Sequence, residues 1–268
     1  MAVTTVIFTD LDGTLLHPMT YSFDEARPAL EEIGNRDIPL VLCSSKTRAE
    51  IEVYRKRLDN RHPFISENGG GIFVPEDYFP FPFEGEARGG YRVISVGTPY
   101  AEIRGQFTVL RERLGIKSLG FGDMSIQEVA ARTGLSESEA ALAKMRDFDE
   151  PFIIEDASAK AEAFLQAIEE RGYHWTRGRF YHILGNHDKG RAVNTLKGLY
   201  EQQYGAVRTI GIGDSRNDIP LLRAVDQPVI VQKEDGTYEP GVDLPDLIQA
   251  DGIGPRGWSS AIMRLLAQ

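Results

Sequence analysis

The fold is decided by the stretch Val6-Ile7-Phe8-Thr9-Asp10-Leu11-Asp12-Gly13-Thr14-Leu15, in which a short apolar run ends on two carboxylates. Such a run of β-branched and aromatic residues is typical of a buried strand. Ligands of open parallel sheets lie outside the carboxyl ends of the strands, so we expect Asp10 and Asp12 at the floor of a site. Gly13 allows the chain to turn sharply there. Alternatively, the two carboxylates could be turn and cap residues that terminate the strand.

Two further strands are predicted to end on polar groups. The run from Ile38 to Cys43 is followed by Ser44, and the run from Thr209 to Gly213 is followed by Asp214. Helical patterns follow both strands, which indicates a parallel sheet with right-handed crossovers. Because the carboxyl ends of parallel strands lie along one edge of a sheet, we expect Ser44 and Asp214 to lie beside Asp10.

The chain changes character between Pro75 and Glu86, where prolines and aromatic residues interrupt the strand pattern. Such a stretch predicts a linker that leaves the first domain. A new series of elements begins with a strand at Tyr91 to Val96, and the first pattern resumes at Asp188. We therefore predict an α/β fold with a Rossmann-like parallel-sheet core, residues 1–83 and 187–268, and an inserted α+β cap domain, residues 84–186.

Four pairs of residues have the spacing of a helix capping box, in which Ser or Thr is followed three residues later by Glu. They are Ser22 with Glu25, Thr47 with Glu50, Ser125 with Glu128, and Ser136 with Glu139. Each pair predicts the start of a helix. Pro28 is expected to delay or kink the first of these helices, because it removes a backbone donor.

Composition limits the kinds of partner. The chain of 268 residues has a formal net charge of −10, which argues against non-specific binding to nucleic acid or anionic membranes, because no basic surplus is present to release counterions. Cys43 is the single cysteine, which excludes a disulfide framework and a multi-cysteine metal site. No leader opens the sequence and no apolar run approaches a membrane-spanning length, so we expect a cytoplasmic protein. The sequence does not predict the oligomeric state.

Asp10-Leu11-Asp12-Gly13-Thr14 resembles the first motif of the haloacid dehalogenase-like phosphohydrolases, and Ser44, Lys189 and Gly213-Asp214-Ser215-Arg216-Asn217-Asp218 resemble the three motifs that follow it. Taken alone, Ser44 could be a helix cap, Lys189 a solvated first-turn residue and Asp214 a strand-end turn. All four motifs occur here in the order of that superfamily. The resemblance implies that Asp10 attacks phosphorus to form an aspartyl-phosphate, while Asp12 acts as general acid and base.

The same resemblance implies a Mg²⁺ cofactor. Its ligands would be Asp10, the backbone carbonyl of Asp12, and Asp214, a set that suits the preference of Mg²⁺ for oxygen. Either Asp218 or Asn217 would contribute a ligand or support the outer shell, and the sequence does not rank the two. Lys189 would offset the charge of the phosphate and Ser44 would hold its oxygens, so both are candidate catalytic residues.

The insert follows the third strand, which is similar to the subgroup whose α/β cap closes over sugar phosphates. Five further stretches resemble the mannosyl-3-phosphoglycerate phosphatase family: residues 45–48, 67–71, 88–93, 146–151 and 178–182. The resemblance implies a small phosphorylated sugar substrate that also carries a carboxylate, with mannosylglycerate, a compatible solute, as the product.

Candidate substrate-binding residues lie in these stretches. Arginine suits bidentate capture of a carboxylate. The candidates for that group are Lys46, Arg146 and Arg179, and those for sugar hydroxyls are Asp149, Glu150 and His182. Ser45 is a further candidate for contact with the substrate. Alternatively, Arg146 could belong to an exposed charge pair and His182 could be a structural residue of a strand.

Other functions share parts of this pattern. A phosphomannomutase has the same Asp-x-Asp-Gly-Thr motif but transfers phosphate to a hydroxyl. A phosphatase for the glucosyl analogue, a broad sugar phosphatase and a non-catalytic phosphate-binding regulator also remain possible. A nicotinamide dehydrogenase is disfavoured, because Gly69-Gly70-Gly71 lacks the G-x-G-x-x-G spacing after the first strand.

Overall fold

The computed structural model describes residues 3–267, which contain two β-sheets. The strands, numbered along the chain, are β1 (Thr4–Thr9), β2 (Leu40–Cys43), β3 (Phe64–Ser66), β4 (Gly71–Pro75), β5 (Glu86–Arg88), β6 (Tyr91–Ser95), β7 (Ser118–Gly120), β8 (Asp149–Ile154), β9 (His174–Arg177), β10 (Tyr181–Leu184), β11 (Val207–Gly213), β12 (Gln227–Gln232) and β13 (Ile248–Ile253). The α-helices are α1 (Arg27–Asn35), α2 (Arg48–Arg57), α3 (Tyr100–Leu114), α4 (Ile126–Thr133), α5 (Glu137–Ala143), α6 (Ser158–Glu170), α7 (Lys189–Tyr204), α8 (Ile219–Arg223) and α9 (Pro255–Leu266). None of these helices is both long and apolar enough to cross a membrane.

The larger sheet has nine strands in the order β13-β12-β11-β1-β2-β3-β4-β6-β5. The pairs from β13 through β3 are parallel, and the last three pairs, which involve β4, β5 and β6, are antiparallel. The predicted α/β core with a parallel sheet is therefore confirmed. β1 lies in the interior of the sheet, between β2 and β11.

β1 is buried on both faces because helices cover both sides of the sheet. Ile7 packs with residues of α1, α2 and α9, whereas Val6 and Phe8 pack on the other face with residues of α7 and α8. All three side chains have no exposed surface. Parallel strands covered on both faces read as continuous apolar runs, which explains the pattern of this stretch.

The strand predicted at Tyr91 to Val96 does not belong to a separate insert. β6 pairs with β4 through Ile72 and Ile94, so β5 and β6 extend the large sheet. The aromatic segment before them packs back on the core, with the ring of Phe79 5.3 Å from that of Tyr200. The cap limits of 84–186 stay a prediction, and we propose that the first boundary lies near Gly97, beyond the end of β6.

A four-stranded antiparallel sheet, ordered β7-β8-β10-β9, forms the centre of the inserted region. The apolar residues of α3 and α6 pack on one face of β8, through Phe152, and those of α4 and α5 pack on the other, through Ile153. Thr47, Ser125 and Ser136 cap their helices in capping boxes, as predicted. Ser22 does not, because α1 begins only at Arg27, with Pro28 in its first turn.

Candidate active site

The carboxyl ends of β1 and β11 bring three acidic side chains together. Asp10 follows β1, Asp214 follows β11, and Asp218 lies one short turn further on. One carboxylate oxygen from each residue lies within 4.8 Å of the other two. The chain passes so closely here that a Cβ at Gly13, whose φ is +80°, would be 2.7 Å from Oδ2 of Asp214. A left-handed backbone and this proximity both require glycine.

Lys189 is buried between two of these carboxylates. Its Nζ lies 2.6 Å from Oδ1 of Asp10 and 2.6 Å from Oδ1 of Asp218, and the residue is 1% exposed. Burial alone would lower the pKa of Lys189, but the charges of Asp10 and Asp218 outweigh it and raise that pKa. Lys189 therefore holds a positive charge at the site, and the alternative of a solvated first-turn residue is wrong.

Asp218 has hydrogen bonds at both carboxylate oxygens. Oδ1 accepts from Lys189, and Oδ2 accepts from the backbone N–H groups of Asp214 and Ser215, each at 3.1 Å. Asn217 is also engaged, since its Oδ1 accepts from Ser215 Oγ at 2.7 Å and its Nδ2 donates to Asn68. These contacts favour a role in which Asp218 and Asn217 support the metal ligands without binding the metal themselves. Direct metal ligation by either residue stays a prediction.

The site carries more negative charge than Lys189 neutralises. Burial raises the pKa of Asp10 to about 7, against the opposing charge of Lys189. Burial and the charges of Asp218 and Asp10 raise the pKa of Asp214 well above its usual value. Three clustered carboxylates with one ammonium ion fit a divalent cation, and an all-oxygen donor set suits Mg²⁺ better than zinc.

Asp12 is held by Lys46. Oδ2 of Asp12 lies 2.9 Å from Nζ of Lys46, which also lies 3.6 Å from Oε1 of Glu50. The Lys46 ammonium lies over the rings of Tyr21 and Tyr54, and its side chain is 7% exposed. Lys46 borders the cavity described below, but its charge is committed to orienting Asp12. This geometry does not favour the predicted contact between Lys46 and the substrate.

Ser44 lies at the end of β2 as predicted and is fully buried. Its Oγ accepts a hydrogen bond from the backbone N–H of Lys46 at 3.2 Å. Thr47, not Ser44, caps α2, so the alternative of a helix cap is wrong. Contact between Ser44 and a phosphoryl group stays a prediction.

A cavity of about 900 Å³ lies between the large sheet and the inserted region. Asp10, Asp12 and Asp214 line its floor. Of the predicted substrate-binding residues, those that line the cavity are Ser45, Lys46, Arg146, Arg179 and His182. The cavity therefore joins the acidic cluster to polar groups of the insert, and contact of these residues with a substrate stays a prediction.

Asp149 and Glu150 do not reach this cavity, which corrects their predicted contacts with sugar hydroxyls. Both are fully buried. Glu150 accepts hydrogen bonds from the hydroxyl of Tyr100 at 2.6 Å and the backbone N–H of Gly122 at 2.8 Å. Asp149 is bonded to Arg146 and His182. Although burial works against ionisation, the charge of Arg146 and the hydrogen bonds from Arg146 and His182 lower the pKa of Asp149.

Arg146 is a buried link between the insert and the core. Its guanidinium donates to the backbone carbonyl of Ser45 at 2.9 Å and to Asp149, and its Nε lies 3.4 Å from Oε2 of Glu67. The alternative of an exposed charge pair is therefore wrong. Arg179 differs, because it donates only to the carbonyls of Thr133 and Arg132. Within residues 3–267 Arg179 has no acidic partner, so its charge is available to a ligand.

Among the cavity-lining residues that the sequence did not single out are Arg216 and Trp175. The guanidinium of Arg216 lies 5.9 Å from the ring centroid of Trp175, and both residues line the cavity. Arg216 makes no ion pair with any carboxylate of the described chain. Arg216 could have been found from the sequence, because it lies inside the fourth motif. Trp175 could not, because its strand β9 is too short and too polar to be predicted as a strand.

Comparison with known proteins agrees with this geometry. A family model for haloacid dehalogenase-like hydrolases matches residues 7–79. A solved structure from Thermoplasma acidophilum superposes with a TM-score of 0.72 at 16% identity and covers all of both chains, which supports the fold. The fold and the site define a hydrolase of the haloacid dehalogenase-like class.

Two curated relatives carry names that state their substrates. A Methanococcoides burtonii protein named glucosyl-3-phosphoglycerate/mannosyl-3-phosphoglycerate phosphatase is 48% identical, over 98% of this chain and 97% of its own. A Pyrococcus horikoshii protein named mannosyl-3-phosphoglycerate phosphatase is 37% identical, over 84% and 90%. This chain belongs to their family of haloacid dehalogenase-like phosphatases.

Proposed function

We propose that this protein is a Mg²⁺-dependent phosphatase that hydrolyses mannosyl-3-phosphoglycerate to mannosylglycerate and phosphate. The observation that carries the proposal is the buried Asp10–Lys189 pair at the floor of a large cavity whose other wall carries Arg179 and His182. The glucosyl ester is a second candidate substrate, because the 48% identical relative is named for both sugars. The cytoplasmic location expected from the sequence stays a prediction, and so does the exclusion of nucleic acid and membranes.

In this mechanism, a carboxylate oxygen of Asp10 attacks phosphorus, and the bond from phosphorus to the glycerate oxygen breaks. Asp12, oriented by Lys46, gives its proton to that oxygen and then removes a proton from the water that hydrolyses the aspartyl-phosphate. Lys189 stays protonated and offsets the charge that accumulates on the phosphoryl oxygens. Mg²⁺, held by Asp10, Asp214 and the carbonyl of Asp12, would supply further charge compensation.

The charges in the cavity fit a substrate with a second anionic group. Arg179 is held in place by two backbone carbonyls and has no acidic partner within residues 3–267. A guanidinium fixed in this way is prepared to bind a carboxylate at little entropic cost. We assign the glycerate carboxylate to Arg179, with Arg216 as a second candidate, and the sugar to the wall that contains His182.

A panel of phosphate esters tests the function. We expect steady phosphate release from mannosyl- and glucosyl-3-phosphoglycerate, with kcat/KM at least about a hundredfold above that for mannose 6-phosphate or 3-phosphoglycerate. The assay contains Mg²⁺ and no bisphosphate activator, which separates a hydrolase from a mutase. Equal rates across the panel would indicate a broad phosphatase, and stabilisation of the protein by these esters without turnover would indicate a regulator.

Metal removal tests the acidic cluster. After chelation we expect phosphate release to stop and Mg²⁺ to restore it, because the carboxylates need a compensating cation. Asp214→Asn should raise the Mg²⁺ concentration for half-maximal activity by about ten- to a hundredfold. Asp226→Asn is the matched control, since Asp226 lies outside the cluster and bonds to Thr209 and Lys197. Full activity of the chelated enzyme, or equal Mg²⁺ dependence of both variants, would contradict the assignment.

A further inference from the structure

A continuous chain of hydrogen bonds runs from the loop after β11 to the wall of the cavity in the insert. Ser215 Oγ donates to Asn217 Oδ1 at 2.7 Å, and Asn217 Nδ2 donates to Asn68 Oδ1 at 3.1 Å. Asn68 Nδ2 then donates to Asp149 Oδ2 at 2.9 Å. The same oxygen of Asp149 lies 3.0 Å from Nδ1 of His182, which lines the cavity.

The direction of each hydrogen bond in this chain is determined. The ionised Asp149 is an acceptor only, so Asn68 must present its NH₂ group to Asp149 and its carbonyl oxygen to Asn217. For the same reason His182 must carry a proton on Nδ1. Its Nε2 makes no hydrogen bond to another side chain of residues 3–267, and that nitrogen is therefore available to a ligand.

Asn68 is suited to this position by both backbone and side chain. It is 2% exposed and has a φ of +56°, a left-handed conformation that asparagine tolerates better than most residues. An aspartate there would repel Asp149, and an apolar residue would leave buried polar groups unpaired. The neighbouring Glu67 accepts hydrogen bonds from the backbone N–H groups of Asp147, Phe148 and Asp149, so this core turn holds the start of β8.

We propose that Asn68, a residue of the core, is a positioning residue that acts through Asp149 to hold His182 in place for the glycosyl part of the substrate. Asp149 and His182 both lie in the insert, and the hydrogen bond from Asn68 to Asp149 connects this pair to the core. Recognition of the sugar in the insert is thereby made dependent on a core side chain that touches no substrate. This inference rests on the proposed function.

The test is Asn68→Gly, which preserves the left-handed backbone and removes only the amide. We expect kcat/KM for mannosyl-3-phosphoglycerate to fall by about ten- to a hundredfold, mostly through KM, because a buried charged partner loses its donor. Turnover of p-nitrophenyl phosphate, which has no glycosyl group, should change less than about threefold. Asn60→Gly is the control, since Asn60 makes two comparable bonds outside the cavity, to Leu40 and His62, and should lower only Tm.

A double-mutant cycle separates positioning from a general structural role. If Asn68 acts through His182, then Asn68→Gly should cause little further loss in a His182→Ala background. Additive losses, or an equal fall for both substrates, would overturn the proposal. Should Asn68→Gly fail to fold, Asp149→Asn, which keeps the shape of the side chain, takes its place in the same cycle.

An independent readout distinguishes failure of this inference from failure of the proposed function. Wild-type enzyme that releases no phosphate from either glycosyl ester would refute the function alone. The Nδ1–H of His182, assigned in ¹⁵N spectra by its absence from His182→Ala, should exchange slowly in the wild type and markedly faster in Asn68→Gly. Equal exchange in the two proteins would refute the positioning role.

Discussion

Asp10→Asn is expected to abolish phosphate release, with a loss of kcat of about 10⁴-fold or more. An amide cannot replace the attacking carboxylate, although it has nearly the same shape. The fold should persist, because burial and the nearby carboxylates already disfavour charge at this position. Release of phosphate is the measurement, and thermal unfolding shows whether the variant remains folded.

Asp24→Asn is the matched control for this prediction. Asp24 is exposed and bonds only locally, to Ser22 and Arg27, so its replacement should leave both activity and Tm unchanged. A folded Asp10→Asn enzyme that turned over at more than a few per cent of the wild-type rate would rule out Asp10 as the nucleophile.

Lys189→Met should both inactivate and destabilise the enzyme. Methionine fills a similar volume, but it leaves Asp10 and Asp218 buried without their cation. Breaking a buried ion pair in this way costs about 3–5 kcal/mol of unfolding free energy. Denaturant unfolding measures the loss, and Mg²⁺ should recover more stability in this variant than in the wild type, because it restores positive charge to the cluster.

Lys197→Met provides the comparison. Lys197 pairs with Asp226 at 3.2 Å on the surface, and such pairs contribute at most about 1 kcal/mol. Equal losses of unfolding free energy in Lys189→Met and Lys197→Met would contradict the larger contribution to stability that we expect from Lys189.

The core of the site was predictable because its signals are local. Each of β1, β2 and β11 is an apolar run that ends on a polar residue, and parallel pairing then determines that Asp10, Ser44 and Asp214 lie at one edge. Lys189 was singled out only by its resemblance to the third motif of the superfamily, since a lysine in the first turn of a helix is ordinarily solvated. What the sequence could not show was that this ammonium would be almost fully buried and bonded to two carboxylates.

The errors concern contacts between residues far apart in sequence. Glu150 was expected to face the cavity, but it is bonded to Tyr100, which lies fifty residues away. No local sequence pattern shows which face of a strand will be buried away from solvent. The assignment of β6 to the insert failed for a similar reason, because proline-rich chain separated it from the strand that it pairs with. The ion pair of Lys46 with Asp12 could not be seen in the sequence either, because the two residues are 34 positions apart.

The position of β1 between β2 and β11 has a consequence for biosynthesis. The second strand that pairs with β1 begins at Val207. One edge of β1, with its apolar residues Val6, Ile7 and Phe8, therefore stays unpaired until about three quarters of the chain has been synthesised. At usual translation rates this interval lasts on the order of 10–40 s. Open strand edges invite aggregation, so the segment that later becomes the catalytic centre is the part of the nascent chain most exposed to mispairing during this interval.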